Sequence, residues 1–186
     1  LGVTTTYSYD TMGNLIQAVK ALNEENSRKT AYTYDTLGRT TSVADSLEGI
    51  TRASYDNRGN ISSITDANGG VTKYQYDKMG QLLAEISPLG SKTSYTYNAA
   101  GLLTESTNAR NQSTKYTYDA VGRITSMTDE LGTTSYTYDP NGNILTVTDA
   151  DGTITREYDA LNRVTKYTDA RGNSVGYGYD ELGNLL

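Results

Sequence analysis

The chain has 186 residues, of which 35% are hydrophobic, and its 17 tyrosines occur without any phenylalanine or tryptophan. Aliphatic side chains are too few for a conventional globular core, whereas the abundant tyrosine, threonine, valine and isoleucine suit pleated, half-buried strands. The formal net charge of −6 argues against a nucleic-acid partner, and the absence of histidine and cysteine excludes Ser-His-Asp and Cys-His nucleophiles, disulfides and thiolate metal sites.

A repeat of 20 or 21 residues runs along the chain, marked by a tyrosine that is followed by aspartate or asparagine. The spacings between successive copies are 25, 21, 21, 21, 21, 20, 20 and 21, so only the first interval carries an obvious insertion, near residues 22–29. Such a period is typical of a repeat architecture. We therefore predict one array of about nine repeats over residues 1–186, as a fragment of a longer array. The nine tyrosines are Tyr9, Tyr34, Tyr55, Tyr76, Tyr97, Tyr118, Tyr138, Tyr158 and Tyr179.

Each repeat opens with a predicted strand that ends in Tyr-x-Tyr. The two-residue period of a strand places both rings on one face, so we expect the aromatic pairs to pack between neighbouring repeats. Ala53 and Arg156 replace the upstream tyrosine in two copies. The upstream tyrosines of the other copies are Tyr7, Tyr32, Tyr74, Tyr95, Tyr116, Tyr136 and Tyr177.

A turn follows each of these strands. The residue after the repeat tyrosine can cap the turn backbone with its side chain. It is Asp10, Asp35, Asp56, Asp77, Asn98, Asp119, Asp139, Asp159 or Asp180. Three residues later comes glycine or, once, asparagine, the residues that most readily adopt positive φ. These are Gly13, Gly38, Gly59, Gly80, Gly101, Gly122, Gly142, Asn162 and Gly183.

A returning strand and a second turn complete each repeat. The strand is marked by an aliphatic residue at a fixed offset, namely Leu15, Ile61, Leu82, Leu103, Ile124, Ile144, Val164 or Leu185. Second-turn signals occur at residues 66–69, 129–132, 149–152 and 169–172, with looser forms at 87–90 and 108–111. The prediction is an all-β fold of tandem antiparallel β-hairpin repeats of 20–21 residues that form a curved β-solenoid or shell segment. Unpaired strand edges at its ends would allow self-association.

The segments Tyr118-Asp119-Ala120-Val121-Gly122-Arg123-Ile124 and Tyr55-Asp56-Asn57-Arg58-Gly59-Asn60-Ile61 resemble the Rhs or YD-repeat family. The departures from its pattern are Asn98, Asn162, Ala53 and Arg156. The resemblance implies repeats that spiral into a hollow shell, as in bacterial polymorphic toxins, insecticidal toxin complexes and teneurin ectodomains. It also implies a non-catalytic segment of an exported or cell-surface protein, whose partners are further repeats and an enclosed or C-terminal effector domain. The Asp-Pro-x-Gly sequence at residues 139–142 is interpreted as a turn, because the repeat continues in phase beyond it.

Other chemistry has weaker support in the sequence, and we predict no catalytic residue, cofactor or metal site. Asp149 and Asp151 fall in an exposed turn that offers no burial to shift a carboxyl pKa for acid–base work. Stacked turns could align Asp66, Asp129, Asp149 and Asp169 as oxygen ligands for Ca²⁺. The alternative function is carbohydrate binding or adhesion through the tyrosine rows. No apolar run reaches the length of about 18 residues that a membrane helix needs, so membrane insertion is not expected.

Overall fold

The computed structural model describes residues 3–21 and 26–186. Its strands fall into two compact units, Leu1–Ser94 and Tyr95–Leu186. Residues 22–25, which hold most of the predicted insertion, lie outside the described residues, and the following strand begins at Ser27. The prediction of a single array over residues 1–186 stays a prediction.

The first unit is a meander of short strands. Each strand pairs antiparallel with the next strand in the sequence. The strands are β1 (Thr4–Tyr9), β2 (Leu15–Ala21), β3 (Ser27–Tyr34), β4 (Thr40–Ala44), β5 (Ile50–Tyr55), β6 (Ile61–Thr65), β7 (Val71–Tyr76), β8 (Leu82–Ile86) and the start of β9 (Lys92–Tyr97).

The second unit repeats the same pattern from Tyr95 onwards. Its strands again pair antiparallel in sequence order. They are the end of β9 followed by β10 (Leu103–Thr107), β11 (Ser113–Tyr118), β12 (Ile124–Asp129), β13 (Gly132–Tyr138), β14 (Ile144–Asp149), β15 (Gly152–Tyr158), β16 (Val164–Thr168) and β17 (Ser174–Gly176). The described residues contain no helix, and the predicted all-β class with tandem antiparallel hairpins is confirmed.

Seven hairpins carry a β-bulge immediately before the repeat tyrosine. In β11 and β12, Thr117 lies opposite Ser126 but Tyr118 lies opposite Ile124, so Thr125 is an extra residue on the returning strand. The same register shift precedes Tyr9, Tyr34, Tyr55, Tyr76, Tyr138 and Tyr158. A bulge increases the local twist and re-aims the side chains beside it.

The two faces of each unit differ in chemistry. Directly opposed residues share a face, so Tyr116, Met127 and Thr134 belong to the tyrosine-bearing face, which we call the aromatic face. The other face is rich in hydroxyl groups that bond across strands, as in the 2.6 Å contact between Thr137 Oγ1 and Thr146 Oγ1.

Neither face is covered by a second layer within its unit. Within each unit, contacts between strands join only sequence neighbours among the described residues. Ala84, at 1% exposure, is the one fully buried hydrophobic residue in the described ranges. Cross-strand pairs and hydrogen bonds, rather than a closed core, therefore hold these hairpins together.

The second turns of the described residues come in two lengths, which account for the repeat spacings of 20 and 21 residues. In five turns the first residue exchanges backbone hydrogen bonds with residues three and four positions later, starting at Asp45, Ser87 and equivalent positions. In β12–β13 and β14–β15 the pairing continues to the turn, with Asp129 opposite Gly132 and Asp149 opposite Gly152. These tighter turns lie in the two intervals of 20 residues. The five longer turns are residues 45–49, 66–70, 87–91, 108–112 and 169–173.

Candidate functional site

The nine Tyr-Asp-x-x-Gly motifs form one turn geometry, which we call the YD turn. It runs from the aspartate to the residue after the glycine. In the turn that starts at Asp119, the Asp119 N–H donates to the Arg123 carbonyl at 2.9 Å and the Gly122 N–H donates to the Asp119 carbonyl at 3.1 Å. Equivalent bonds close the other eight turns.

The aspartate side chain braces the YD turn from inside. Asp119 Oδ1 accepts the N–H groups of Val121 at 3.0 Å and Arg123 at 2.9 Å. In the one copy with asparagine, Asn98 Oδ1 accepts the N–H groups of Ala100 and Leu102, both at 3.0 Å. An amide oxygen therefore replaces the carboxylate without loss of these bonds.

The fourth position of every YD turn has a left-handed backbone. Gly122 has φ of 86°, and the exceptional Asn162 has φ of 62°. A residue with a Cβ is strained at such angles, and asparagine is the side chain that tolerates them best. The side chain of Asn162 has a further role, because its Oδ1 accepts hydrogen bonds from the Nδ2 groups of Asn141 at 3.0 Å and Asn143 at 2.7 Å in the preceding YD turn.

The residue after the glycine bonds the second carboxylate oxygen in two different ways. In the asparagine version, Asn143 Nδ2 donates to Asp139 Oδ2 at 2.8 Å. In the arginine version, Arg123 Nε donates to Asp119 Oδ2 at 2.6 Å as part of an ion pair. The backbone N–H and guanidinium of Arg123 hold the pKa of Asp119 below its ordinary value. Asn143 likewise lowers the pKa of Asp139.

The arginine version also reaches the next repeat. The Arg123 guanidinium carbon lies 4.6 Å from the centroid of the Tyr138 ring, and its Nη1 donates to the Asp139 carbonyl at 3.0 Å. Arg39 over Tyr55 and Arg163 over Tyr179 repeat the stacking at 4.4 Å. Each such arginine therefore joins the carboxylate of its own turn to the aromatic ring of the following hairpin.

The repeat tyrosines link neighbouring hairpins through their hydroxyl groups. The backbone ladder between β12 and β13 begins at Ser126 opposite Ser135 and does not reach Ile124. Tyr138 spans this gap, since its hydroxyl donates to the Ile124 carbonyl at 2.7 Å. We call this contact the tyrosine latch. The other latches are Tyr34 to Leu15, Tyr55 to Thr40, Tyr118 to Leu103, Tyr158 to Ile144 and Tyr179 to Val164.

Sequence reasoning assigned the repeat tyrosines to aromatic packing and did not find the latch. The latch depends on the phenol oxygen, which phenylalanine lacks. The composition could have indicated a role for the hydroxyl group, because the chain has 17 tyrosines and no phenylalanine. Packing by the ring alone does not explain that preference.

The candidate acidic ligands Asp66, Asp129, Asp149 and Asp169 each accept a backbone N–H group of their own turn. Asp149 and Asp151 are both exposed, and Asp149 Oδ1 accepts the Asp151 N–H of its own turn at 2.9 Å. No group of three or more potential metal-ligating side chains lies together within residues 3–21 and 26–186. The Ca²⁺ hypothesis for stacked turns therefore has no ligand cluster in the described part of the chain. Within the same residues, no helix has the length and apolar character needed to cross a membrane.

The fold and the YD turns define a β-hairpin repeat protein whose recurring side chains bind one another. The family described as Teneurin YD-shell matches residues 2–124 and 104–186. The chain belongs to this family and is a structural shell segment, and its predicted Rhs or YD-repeat character is confirmed. No relative was found among curated proteins.

Solved toxin-complex structures share the fold. The crystal structure of TcdB2-TccC3-Cdc42 aligns with a TM-score of 0.69 at 18% sequence identity, over 99% of this chain and 14% of that chain. The crystal structure of TcdB2-TccC3 gives 0.68 at 19%, and a Photorhabdus luminescens Tc holotoxin pore gives 0.66 at 18%, with the same coverage. The chain thus spans about a seventh of the length of these structures, and at such identities the likeness shows the fold alone.

Proposed function

We propose that the chain is a non-catalytic wall segment of an exported or cell-surface YD-repeat protein, whose shell encloses or presents a toxin or effector domain. The observation that carries the proposal is the use of the recurring polar groups. The YD-turn carboxylates, their arginine or asparagine neighbours and the latch hydroxyls all bond within their own repeat or to the adjacent one. Side chains that bond one another in this way stabilise the repeat array, which is the role of a wall segment.

Two further observations support the proposal. The solved relatives with this fold are components of toxin complexes, according to their titles. Furthermore, no cluster of three or more metal-ligating side chains occurs in the described residues, and the pKa values of the YD-turn carboxylates Asp119 and Asp139 are lowered, which keeps these groups ionised rather than suited to donate a proton. In the proposal, the partners of this segment are further YD repeats of the parent protein and its effector domain.

Limited proteolysis of the full-length parent protein tests enclosure. A wall protects its contents, so we expect the domain that accompanies the repeats to resist protease in the intact protein and to be digested rapidly when expressed alone. A parent variant with Tyr118→Phe and Tyr138→Phe, which lack two latch hydroxyls, should lose protection at a lower urea concentration than the unaltered protein. Equal digestion of the domain in the intact protein and in isolation would reject enclosure.

Carbohydrate binding by the tyrosine rows, the alternative function, has less support. The hydroxyls of six repeat tyrosines donate to main-chain carbonyls, so they are committed within the sheet. A glycan array decides the matter: binding that is lost when Tyr95 and Tyr97 are replaced, with folding intact, would favour the alternative.

A further inference from the structure

The repeat tyrosine Tyr76 departs from the latch pattern. Tyr55 and Tyr118 donate their hydroxyls to main-chain carbonyls of the preceding repeat, at 2.7 and 2.6 Å. The Tyr76 hydroxyl has no hydrogen-bond partner among the described residues, and no arginine of those residues stacks on its ring. Partial burial raises the pKa of Tyr76, so its hydroxyl remains protonated at neutral pH. Tyr76 therefore offers a hydrogen-bond donor that the sheet does not use.

The two YD turns beside Tyr76 have cationic tips. The tip is the pair of residues between the aspartate or asparagine and the left-handed position of the turn. Across the nine YD turns, the tip positions hold only two basic residues, Arg58 and Lys78. Both side chains are exposed, and they lie in consecutive turns that start at Asp56 and Asp77. The positive charge at the tips is thus concentrated where the latch of Tyr76 is missing.

A cleft of about 480 Å³ lies between these two turns. The Arg58 guanidinium is fixed at the cleft, because its Nη1 donates to the Asp77 carbonyl at 3.0 Å. Its other guanidinium N–H groups have no partner in the part of the chain that the structure describes. Guanidinium, ammonium and phenol donors therefore border one cleft. The lining residues are Asp56, Asn57, Arg58, Tyr76, Asp77 and Lys78.

The carboxylates of the cleft are already engaged within their own turns. Asp56 Oδ1 accepts the N–H groups of Arg58 at 2.8 Å and Asn60 at 2.9 Å, and Asp56 Oδ2 accepts Asn60 Nδ2 at 3.0 Å. Asp77 Oδ1 likewise accepts two N–H groups of its turn. These bonds offset part of the aspartate charge that an anion in the cleft would meet. The donors that remain carry positive charge, which suits an anionic ligand.

We propose that this cleft binds a phosphate group, as inorganic phosphate or as a small phosphate monoester. The Arg58 guanidinium and the Lys78 ammonium supply two positive charges for the phosphate dianion, and the Tyr76 hydroxyl supplies a neutral donor. A tetrahedral anion accepts hydrogen bonds from three directions, whereas a carboxylate offers two oxygens in one plane and a single charge. The ligand thus receives the hydroxyl that forms the tyrosine latch in other repeats. The site does not depend on what the parent protein encloses.

Nuclear magnetic resonance titration of the chain with sodium phosphate tests the proposal. The ionic strength is held constant at about pH 7.5, where a phosphate monoester is mainly a dianion. We expect saturable shifts confined to the amides of residues 56–60 and 77–81. Arg58→Gln and Lys78→Gln should each raise the dissociation constant about tenfold or more.

Arg110→Gln is the matched control for general attraction of anions. Arg110 is an exposed basic residue of a second turn, and its substitution should leave the dissociation constant unchanged. Circular dichroism establishes that each variant remains folded. Shifts that do not saturate, or an equal effect of the three substitutions, would overturn the proposal.

Tyr76→Phe separates binding from stability. The variant keeps the ring and loses no latch, so we expect the dissociation constant to rise about threefold or more while the melting temperature stays unchanged. Tyr118→Phe is the reverse control, because it loses a latch and should lower the melting temperature without changing the affinity for phosphate. Unaltered affinity in Tyr76→Phe would refute the three-donor site.

The same titration with glycerol 1-phosphate and with acetate identifies the ligand chemistry. Tighter binding of glycerol 1-phosphate than of inorganic phosphate would assign the cleft to a phosphorylated small molecule, and the opposite order would assign it to free phosphate. Acetate, a planar monoanion, should bind about tenfold more weakly than either. Acetate that binds as tightly as phosphate would overturn the assignment to a phosphate group.

Discussion

The hydroxyl of Tyr118 lies 2.6 Å from the main-chain oxygen of Leu103, 15 residues earlier in the chain. The two residues belong to adjacent hairpins at the end where the backbone ladder between β10 and β11 has stopped, since its last pair is Glu105 opposite Lys115. One side chain thus supplies the hydrogen bond that the diverging strands cannot make.

Removal of this hydroxyl should destabilise the second unit. Tyr118→Phe keeps the ring but leaves the Leu103 carbonyl without its donor, and we expect a loss of about 0.5–1.5 kcal/mol in the free energy of unfolding. Urea unfolding followed by circular dichroism measures it. Tyr116→Phe is the control, because the Tyr116 hydroxyl has no hydrogen-bond partner among the described residues. Equal losses for the two variants would show that the latch adds nothing.

The arginine version of the YD turn should resist substitution in a graded order. Arg123→Ala removes the ion pair with Asp119 and the stacking on Tyr138, and we expect it to cost about 1 kcal/mol. Arg123→Asn should cost less, because asparagine bonds the equivalent carboxylate at Asp139. Arg123→Lys lacks the planar fork and should not restore full stability. Thermal unfolding compares the three, and an alanine variant as stable as the original would contradict the order.

Acid should weaken the YD turns. Hydrogen bonds hold the pKa values of seven YD-turn aspartates, and of Asp169 in a second turn, below their ordinary value, so their stabilisation is complete above about pH 4 and is lost as the pH falls through the folded-state pKa values. The melting temperature should therefore be nearly constant from neutral pH down to about pH 5 and should fall below that.

Asp119→Asn provides the control for the acid effect. Asparagine already braces the turn at Asn98, so the variant should keep the turn while its contribution no longer depends on pH. Its melting temperature should fall less between about pH 5 and pH 3 than that of the original chain. An identical fall in both would assign the acid sensitivity to other groups.

Replacing Asn162 with glycine, the residue at this position in the other YD turns, should not stabilise the protein. Asn162→Gly retains the left-handed backbone but removes the acceptor for Asn141 and Asn143, and we expect a loss of about 1 kcal/mol. Asn162→Ala should cost more, since it loses the bonds and also strains the backbone. Gly122→Asn, the reverse exchange in another YD turn, tests whether positive φ alone is tolerated. A gain in melting temperature for Asn162→Gly would refute the role of the side chain.

Local rules were sufficient for the predicted hairpins and turns. The repeat tyrosine, the bracing aspartate and the glycine lie within about five residues of one another. The sequence therefore indicates the YD turn of every repeat. The turn at residues 45–49 was missed because Glu48, with φ of 64°, takes the position where a glycine would have marked it. The two spacings of 20 residues do not by themselves show where the repeat is shorter, which the structure places in the second turns.

Contacts between neighbouring hairpins could not be predicted in the same way. The tyrosine latch forms where the strands diverge, and the point of divergence depends on the registers on both sides of a strand. The Arg123 contact with Tyr138 likewise joins residues whose proximity follows from the lengths of two turns.

The acceptor of each latch is a main-chain oxygen, which has a consequence for how such arrays change in evolution. Leu15, Thr40, Ile124 and Val164 differ in their side chains, and all accept the bond from a tyrosine of the next hairpin. The donor therefore requires only a carbonyl at the correct place, which any residue supplies. Repeats joined in this way can be duplicated, deleted or exchanged by recombination without a matching change in the neighbouring copy.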